Sequence, residues 1–416
     1  MSVLLYWLAV RAYGFAIRIA SVFNRKAQLF VSGRKNLLEH IRYALMNERR
    51  PRIWMHCASL GEFEQGRPVL EQLRATYPGH ALVLTFFSPS GYEVRKNYPG
   101  ADYIFYLPTD SPRSAARFIS FVQPKLAIFV KYEYWYFLLR QLEVKHIPAI
   151  LISAIFRKEQ PFFRWYGGLH RKMLNCFSRI FVQDEASRQL LQTIGVNDAQ
   201  VAGDTRFDRV VAAVQQAIPL PVAEAFCAGG KVLIAGSSWP EDERFLRRAW
   251  EGMPPGWKLV IVPHEVHEAH IAAIEQLFGN ETVRWSRWSD ESEARVLIVD
   301  TIGVLLPLYR YGQLVWIGGG FGKGIHNTLE AAAYGLPLGF GPEYSKFREA
   351  KELIACGAAF STSAPADLLN CISNWEKDTA SYERAAHAAK HYVHSQAGAT
   401  DMILNYLSEK NELIVS

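Results

Sequence analysis

From about residue 50 onward, short apolar runs alternate with longer stretches of helical periodicity, and polar or glycine-bearing turns separate them. Strand-sized apolar runs joined by helical crossovers predict parallel sheets. In the first half the expected strands are Arg52 to Met55, Ala81 to Thr85, Tyr103 to Tyr106, Leu126 to Val130, Ala149 to Ser153 and Arg179 to Val182. In the second half they are Val232 to Ala235, Lys258 to Val262, Val296 to Val299, Leu314 to Ile317 and Leu338 to Phe340. Two such series predict an α/β protein with two Rossmann-like domains, a cleft between them, and ligands at the carboxyl ends of both sheets. Gly203 and a polar helix running to Pro219 and Pro221 mark the boundary, and the chain from Ser381 reads as a helical tail.

Before this alternation lies a stretch of another kind. Residues 1–23 contain no acidic side chain, and only Ser2, Arg11, Arg18 and Ser21 interrupt an apolar, small or aromatic background. Arg11 and Arg18 are seven apart and share one face of a helix. Asn24, Arg25, Lys26, Arg34 and Lys35 follow. A helix lying in a membrane surface with a basic flank fits this pattern. A single span and a buried amphipathic helix are the other two readings, while the arginine inside the apolar stretch argues against a cleavable signal peptide.

Composition narrows the choice of partner only a little. With 416 residues, 50% hydrophobic and 21% charged, the chain can build two separate cores and is not dominated by disorder. A net charge of +6 suits an anionic partner such as a phosphorylated lipid, a nucleotide or a membrane surface. The five cysteines, Cys57, Cys176, Cys227, Cys356 and Cys371, form no CxxC pair, which indicates neither a zinc site nor a disulfide framework and suits a reducing compartment.

Two segments carry candidate chemistry. His56 to Gly66, directly after the first strand, is a small glycine-containing loop leading into a helix whose free N–H groups can meet an anion. Glu62 in that segment can take a proton from an attacking hydroxyl, and it can equally just stabilise a helix start. Trp316 to Ala332 repeats the order of strand, glycine-rich loop and helix. There Asn327 and Glu330, three apart, can contact a nucleotide or can form an N-cap with a capping box. The loop lacks both GxxxxGK[ST] and GxGxxG spacing.

Taken together, SLGE after one strand and GGGF followed by GIHNTLEAAAYGLPLGFGP after another make the chain similar to the 3-deoxy-D-manno-octulosonic acid (Kdo) transferases of lipopolysaccharide synthesis. The likeness runs over nearly the whole chain and includes Lys131 to Phe137, Ala202 to Asp208 and Gly236 to Glu243. It implies a GT-B fold and an inverting glycosyltransferase that moves Kdo from CMP-Kdo to a lipid A precursor (lipid IVA) at the cytoplasmic face of the cell inner membrane. By this resemblance Glu62 is the general base, and Glu133 and Arg206 stabilise the transition state. CMP contacts fall on Pro263, His264, Gly303, Val304, Asn327, Thr328, Leu329 and Glu330. The chain departs from the family pattern after Pro263, where an arginine is missing and the histidines are shifted, and at Val304, which replaces an acidic residue.

The resemblance implies no metal, no cofactor and no nucleic acid partner. Its domain division is 1–35, a membrane-associated helix and basic flank; 36–210, an acceptor domain; 211–380, a CMP-sugar domain; and 381–416, a helix packing back on the first domain. Arg157, Lys158, Arg164, Arg171 and Lys172, interleaved with Phe162, Phe163, Trp165 and Tyr166, offer a surface for a glycolipid or else an ordinary solvated face. Rival functions are another sugar-nucleotide enzyme on the same fold, either a UDP-sugar transferase or a 2-epimerase, and a non-catalytic membrane-associated sugar-nucleotide-binding protein.

Overall fold

The computed structural model describes residues 2–289 and 292–410. The chain divides into two compact units, Met1–Arg209 with Ala397–Ser416, and Val210–Gln396. The first contains seven strands, β1 (Arg52–Cys57), β2 (Ala81–Phe86), β3 (Tyr103–Tyr106), β4 (Pro124–Val130), β5 (Ala149–Ala154), β6 (Arg179–Val182) and β7 (Ala199–Val201). They form one sheet in the order β3-β2-β1-β4-β5-β6-β7, all parallel.

Period-two alternation divides the side chains of this sheet between two faces. Trp54, Val83, Ala127, Phe129 and Leu151 point to one, under Ile41, Leu45, Phe118 and Leu138. Ile53, Met55, Leu82, Leu84, Ile128 and Ile150 point to the other, under Phe63, Val69, Leu70 and Leu73. Ile403 and Leu407 close that second face. They come from the helix Ala399–Glu409, whose start is pinned by Asp208, which accepts from Thr400 N and Oγ1 at 2.8 Å each.

The second unit repeats the plan with β8 (Lys231–Ser238), β9 (Trp257–Pro263), β10 (Thr282–Arg284), β11 (Val296–Ile298), β12 (Leu314–Ile317), β13 (Leu338–Phe340) and β14 (Ala359–Ser361). Their order is β10-β11-β9-β8-β12-β13-β14, again all parallel. Strands β7, β10 and β14 were absent from the pattern-based expectation. Each is a three-residue strand at a sheet edge, too short to show a period. In open α/β sheets ligands gather at the carboxyl ends where the strand order reverses. That point is β1/β4 in the first unit and β8/β12 in the second.

Two expectations are corrected. The tail is not one piece on the first unit: the helix Thr379–Gln396 belongs to the second, burying Ala385, Ala389 and Val393 along one stripe. Only the helix after Gly398 (φ 118°) joins the first unit, and residues 411–416 of the expected tail lie outside the described residues. The N-terminal stretch forms helix α1 (Val3–Ala20) with no buried residue, which removes the buried amphipathic reading. Leu4, Leu5, Leu8, Phe15 and Ile19 are exposed on it. Helix α2 (Arg25–Ser32) follows, capped by Asn24, and then α3 (Leu37–Leu45). Arg11 and Arg18 do share a face, and with Arg34 and Lys35 they line a cavity of about 860 Å³ beside residues 109–111.

Candidate functional site

At the reversal point of the first unit, β1 ends at Cys57 and the chain turns into helix α4 (Leu60–Thr76). Gly66 lets α4 lie close on the sheet, since a Cβ there would stand 2.9 Å from the Met55 sulfur. Glu62 occupies the first turn, half-buried, and accepts a hydrogen bond from the Ser59 hydroxyl. It therefore points away from the hydrophobic interior.

The neighbouring strand β4 is paired with β1, Phe129 opposite His56. Beyond Val130 the chain leaves the sheet through Lys131, held in the left-handed region at φ 67°. A non-glycine residue there costs about 1–2 kcal/mol, and such strain concentrates at functional sites. The turn presents Glu133, 6% exposed, which accepts from His56 Nε2 at 2.8 Å and from Trp135 Nε1 at 2.6 Å. The partners are thus a histidine and an indole. His56 is fully buried, and its Nδ1 faces the Thr85 carbonyl at 3.1 Å and hydroxyl at 2.9 Å. Nε2 carries the hydrogen that the Glu133 carboxylate accepts.

Sequence reasoning did not single out His56, although a polar residue inside the apolar run Arg52–Cys57 was a legible signal. Burial, and then the charges of Glu62, Glu133 and Glu64, push the Cys57 thiol well above its ordinary range. The carboxylates thus gather around the end of β1.

Arg206 reaches the same region from beyond β7. Its backbone N–H and Nε donate to Asp204 at 3.0 and 2.9 Å, and Asp204 is buried under Gln65 Nε2 of α4 at 3.1 Å. The guanidinium is therefore fixed to α4 through one carboxylate instead of lying free in solvent. Thr205 reinforces the link by donating to the Gln65 carbonyl.

Tyr132, Tyr134, Arg157, Phe162 and His170 line a cavity of about 690 Å³. The Tyr132 phenol is raised by burial, with the Arg157 charge opposing and the Glu62 charge adding. The basic and aromatic stretch splits in two. Phe162 is buried and Arg171 holds the Phe162 and Arg164 carbonyls, whereas Trp165 is 92% exposed.

In the second unit β8 carries Ser237 at φ 53°, one residue before its end at Ser238, and delivers Trp239. Fully buried Asp242 accepts from Trp239 N (3.0 Å), Trp316 Nε1 (3.1 Å) and Gly319 N (2.8 Å), binding the end of β8 to the glycine loop after β12. Two loop glycines serve close backbone packing: a Cβ on Gly318 would meet the Ser237 carbonyl at 2.1 Å, and one on Gly320 the Gly341 nitrogen at 2.5 Å.

His264 follows buried Pro263 at the end of β9 and is exposed. Its ring stacks on Trp239 at 4.8 Å and on His326 at 4.3 Å. Trp239 Nε1 donates to His326 Nε2 at 2.9 Å. Burial, and then the charge of His264, lower His326 to about 4. That ring is neutral at pH 7 and keeps an N–H on Nδ1 to offer. Sequence reasoning gave Trp239 and His326 no role of their own.

The Asn327 to Glu330 segment is reshaped. The helix there is a single turn, Leu329–Ala333, with Thr328 at its N-cap in αR geometry, so it has little dipole to offer. Exposed Asn327 accepts from Leu329 N and donates to Glu330, both at 3.0 Å, which is an Asx turn and not a capping box. Thr328 and Leu329 are each 1% exposed, and Leu329 has already spent its N–H on Asn327. Gly303 (φ 85°) and Val304 lie on the loop after β11, at the carboxyl edge of the same sheet. Of the other histidines, His267 caps a helix and His270 pairs with buried Glu243 at 3.0 Å. Among the described residues no group of three or more His, Cys, Asp or Glu side chains is arranged to hold a metal ion.

Residues 35–209 match the family model described as 3-Deoxy-D-manno-octulosonic-acid transferase (kdotransferase). The 3-deoxy-D-manno-octulosonic acid transferase of Bordetella pertussis is 27% identical over 97% of this chain and 98% of its own length. That of Haemophilus influenzae is 27% identical over 85% of this chain and 86% of its own. Among solved structures, UDP-GlcNAc 2-epimerase from Neisseria meningitidis, bound to UDP-GlcNAc, superposes with a TM-score of 0.61 at 16% identity, over 86% of this chain and 100% of its own. At that identity the likeness is one of fold.

Proposed function

We propose, from its match to the 3-deoxy-D-manno-octulosonic-acid transferase family model over residues 35–209 and from its relatives at 27% identity, that the chain transfers Kdo from CMP-Kdo to a lipid A precursor in a single inverting displacement. The observation that carries the reading is the placement of Glu62 and Glu133 after the adjacent strands β1 and β4, inside the segment matched by the family model.

In this reading Glu62 takes the proton of the glucosamine hydroxyl as its oxygen bonds to the anomeric carbon of Kdo. The bond from that carbon to the CMP phosphate breaks, and CMP leaves with the electron pair. Glu62 suits the part because its described partner is one hydroxyl, which leaves carboxylate lone pairs for the acceptor. Glu133, prealigned by His56 and Trp135, faces the positive charge that develops on the sugar. Arg206, oriented by Asp204, faces the departing phosphate.

The second unit holds the donor at the edge formed by Pro263, His264, Asn327 and Glu330, with Gly303 and Val304 on the next loop. Thr328 and Leu329, buried as they are, contribute through the backbone they shape. The acceptor sugar occupies the Tyr132–Arg157–His170 cavity. The exposed apolar side chains of α1 rest at the cytoplasmic face of the inner membrane, with Arg11, Arg18 and Lys35 toward anionic head groups.

The test is mass spectrometry of tetra-acylated lipid A precursor incubated with the protein and either a CMP-Kdo-generating mixture or UDP-sugars. Kdo addition from CMP-Kdo alone is expected. Glu62→Ala should bind CMP and transfer nothing. Consumption of a UDP-sugar instead would replace this reading with the UDP-sugar enzyme of the same fold.

A further inference from the structure

Helix α1 buries none of its residues, so a few polar and aromatic contacts hold it on the first unit. Two of them run to the segment that carries Glu133. In the first, the Tyr6 hydroxyl donates to Asp110 Oδ2 at 2.7 Å. Asp110, 1% exposed, accepts in turn from the N–H groups of Phe137 and Leu138 at 2.9 and 3.0 Å, the first turn of the helix Tyr136–Val144. The Tyr136 N–H also points at the Tyr6 oxygen at 3.4 Å, and the Tyr6 ring packs on the Tyr136 and Phe137 rings.

In the second, the Tyr13 ring stacks on Phe87 (6.2 Å, 22°), Phe87 packs on Trp135 at 4.6 Å, and Trp135 Nε1 donates to Glu133. Arg34 steadies the middle of this path, donating to the Phe87 carbonyl at 2.7 Å while lying over its ring. Both paths converge on the 131–136 segment, whose other end is fixed where β4 breaks at Lys131.

A surface anchor alone needs only the outward apolar side chains of α1. We infer that α1 is also a positioning element of the transfer site: Tyr6, through Asp110, and Tyr13, through Phe87 and Trp135, hold the 131–136 segment so that Glu133 is presented in its working orientation. This rests on the role given to Glu133 above. Seating of α1 on a lipid surface and the rate of transfer are thereby coupled, because a shift of the helix is felt at the catalytic carboxylate.

The experiment uses the full chain with Tyr6→Phe, Tyr13→Leu and, as a control away from both paths, Met46→Ala at the exposed end of α3. Hydrogen exchange and steady-state kinetics with CMP-Kdo and lipid A precursor are measured on each. For Tyr6→Phe and Tyr13→Leu, faster exchange confined to residues 131–138 is expected, with KM for CMP-Kdo unchanged. A roughly ten- to hundred-fold fall in kcat should accompany it, the scale of loss when a reacting group is misplaced by about 1 Å. Met46→Ala should show neither change. Unaltered exchange and kcat in the tyrosine variants would overturn the inference, and so would faster exchange throughout the first unit with a lower Tm, which marks a purely structural role. Absence of Kdo transfer by the parent protein would refute the proposed function instead, and the exchange pattern would still decide whether α1 holds the segment.

Discussion

His56 Nε2 donates to Glu133 Oε2 across 2.8 Å, a pair in which the imidazole is fully buried and the carboxylate nearly so. Removing the ring leaves the carboxylate with Trp135 as its remaining described donor in a low-dielectric site. Breaking a buried pair on one side costs about 3–5 kcal/mol, so His56→Ala should lower the denaturation midpoint accordingly. Adding Glu133→Gln to that variant should recover part of the loss. Strictly additive losses would show that the two side chains are not coupled.

Glu62 presents the opposite case, a half-exposed carboxylate whose described partner is the Ser59 hydroxyl. Glu62→Gln keeps the shape and removes the base. Transfer should fall by about 10²–10⁴-fold, while urea denaturation shifts by less than about 0.5 kcal/mol. An equally active Glu62→Gln enzyme would require a different proton acceptor.

Arg206 is held by Asp204 through the backbone N–H and Nε, a geometry that lysine cannot reproduce. If its charge is what matters, Arg206→Lys should slow transfer by no more than about ten-fold and Arg206→Ala by about 10²-fold or more. Comparing kcat for the two variants decides the point. Similar losses in both would assign the role to the fork of the guanidinium and not to its charge.

Burial raises the Asp110 carboxyl from 3.8 to about 6, against the pull of its Tyr6, Phe137 and Leu138 donors. The folded state therefore holds this proton more tightly than the unfolded chain does. The stabilisation is complete below pH about 4 and is lost as pH rises through about 6. A shift of that size corresponds to at most about 3 kcal/mol. Relative to Asp110→Asn, whose profile should be flatter, the parent should gain stability in denaturation curves as pH falls from 7 to about 4. Parallel profiles would mean that Asp110 does not titrate there.

His326 shifts the other way, down from 6.5 to about 4 through burial and then the nearby His264. Its neutral form is favoured by folding, so the stability this group contributes is present above pH about 6.5 and is lost as pH falls through about 4. Imidazole resonances followed by NMR should show a His326 ring that stays unprotonated at pH 5.5. Protonation near 6.5 would indicate that the Trp239 hydrogen bond is not maintained in solution.

Most of the architecture was legible because buried parallel strands declare themselves as apolar runs. Arg52–Cys57, Ala81–Phe86 and Ala149–Ala154 are covered on both faces throughout. The edge strands Thr282–Arg284 and Ala359–Ser361 escaped because three residues carry no measurable alternation and an edge tolerates polar side chains. Glu62 could be picked out from residue order, strand then glycine loop then helix. Glu133 and Arg206 could not, since irregular turns have no period, and only family resemblance singled them out. The short helix after Asn327 was misjudged because the Asn–Glu spacing fits both a capping box and the Asx turn that forms. His56 and Trp239 were passed over because their significance lies in partners distant along the chain, Glu133 and His326.

Ile403 and Leu407 follow the entire second unit in sequence and yet cover a face of the first sheet. During synthesis the early strands leave the ribosome with that face open, and it stays open while some two hundred intervening residues are made. The later-born half can finish folding before the earlier one does. A nascent chain of this design therefore needs its greasy flank shielded by a chaperone or by the bilayer beside it, and a fragment cut before residue 397 should be recovered in soluble form only when the missing helix is supplied as a separate peptide.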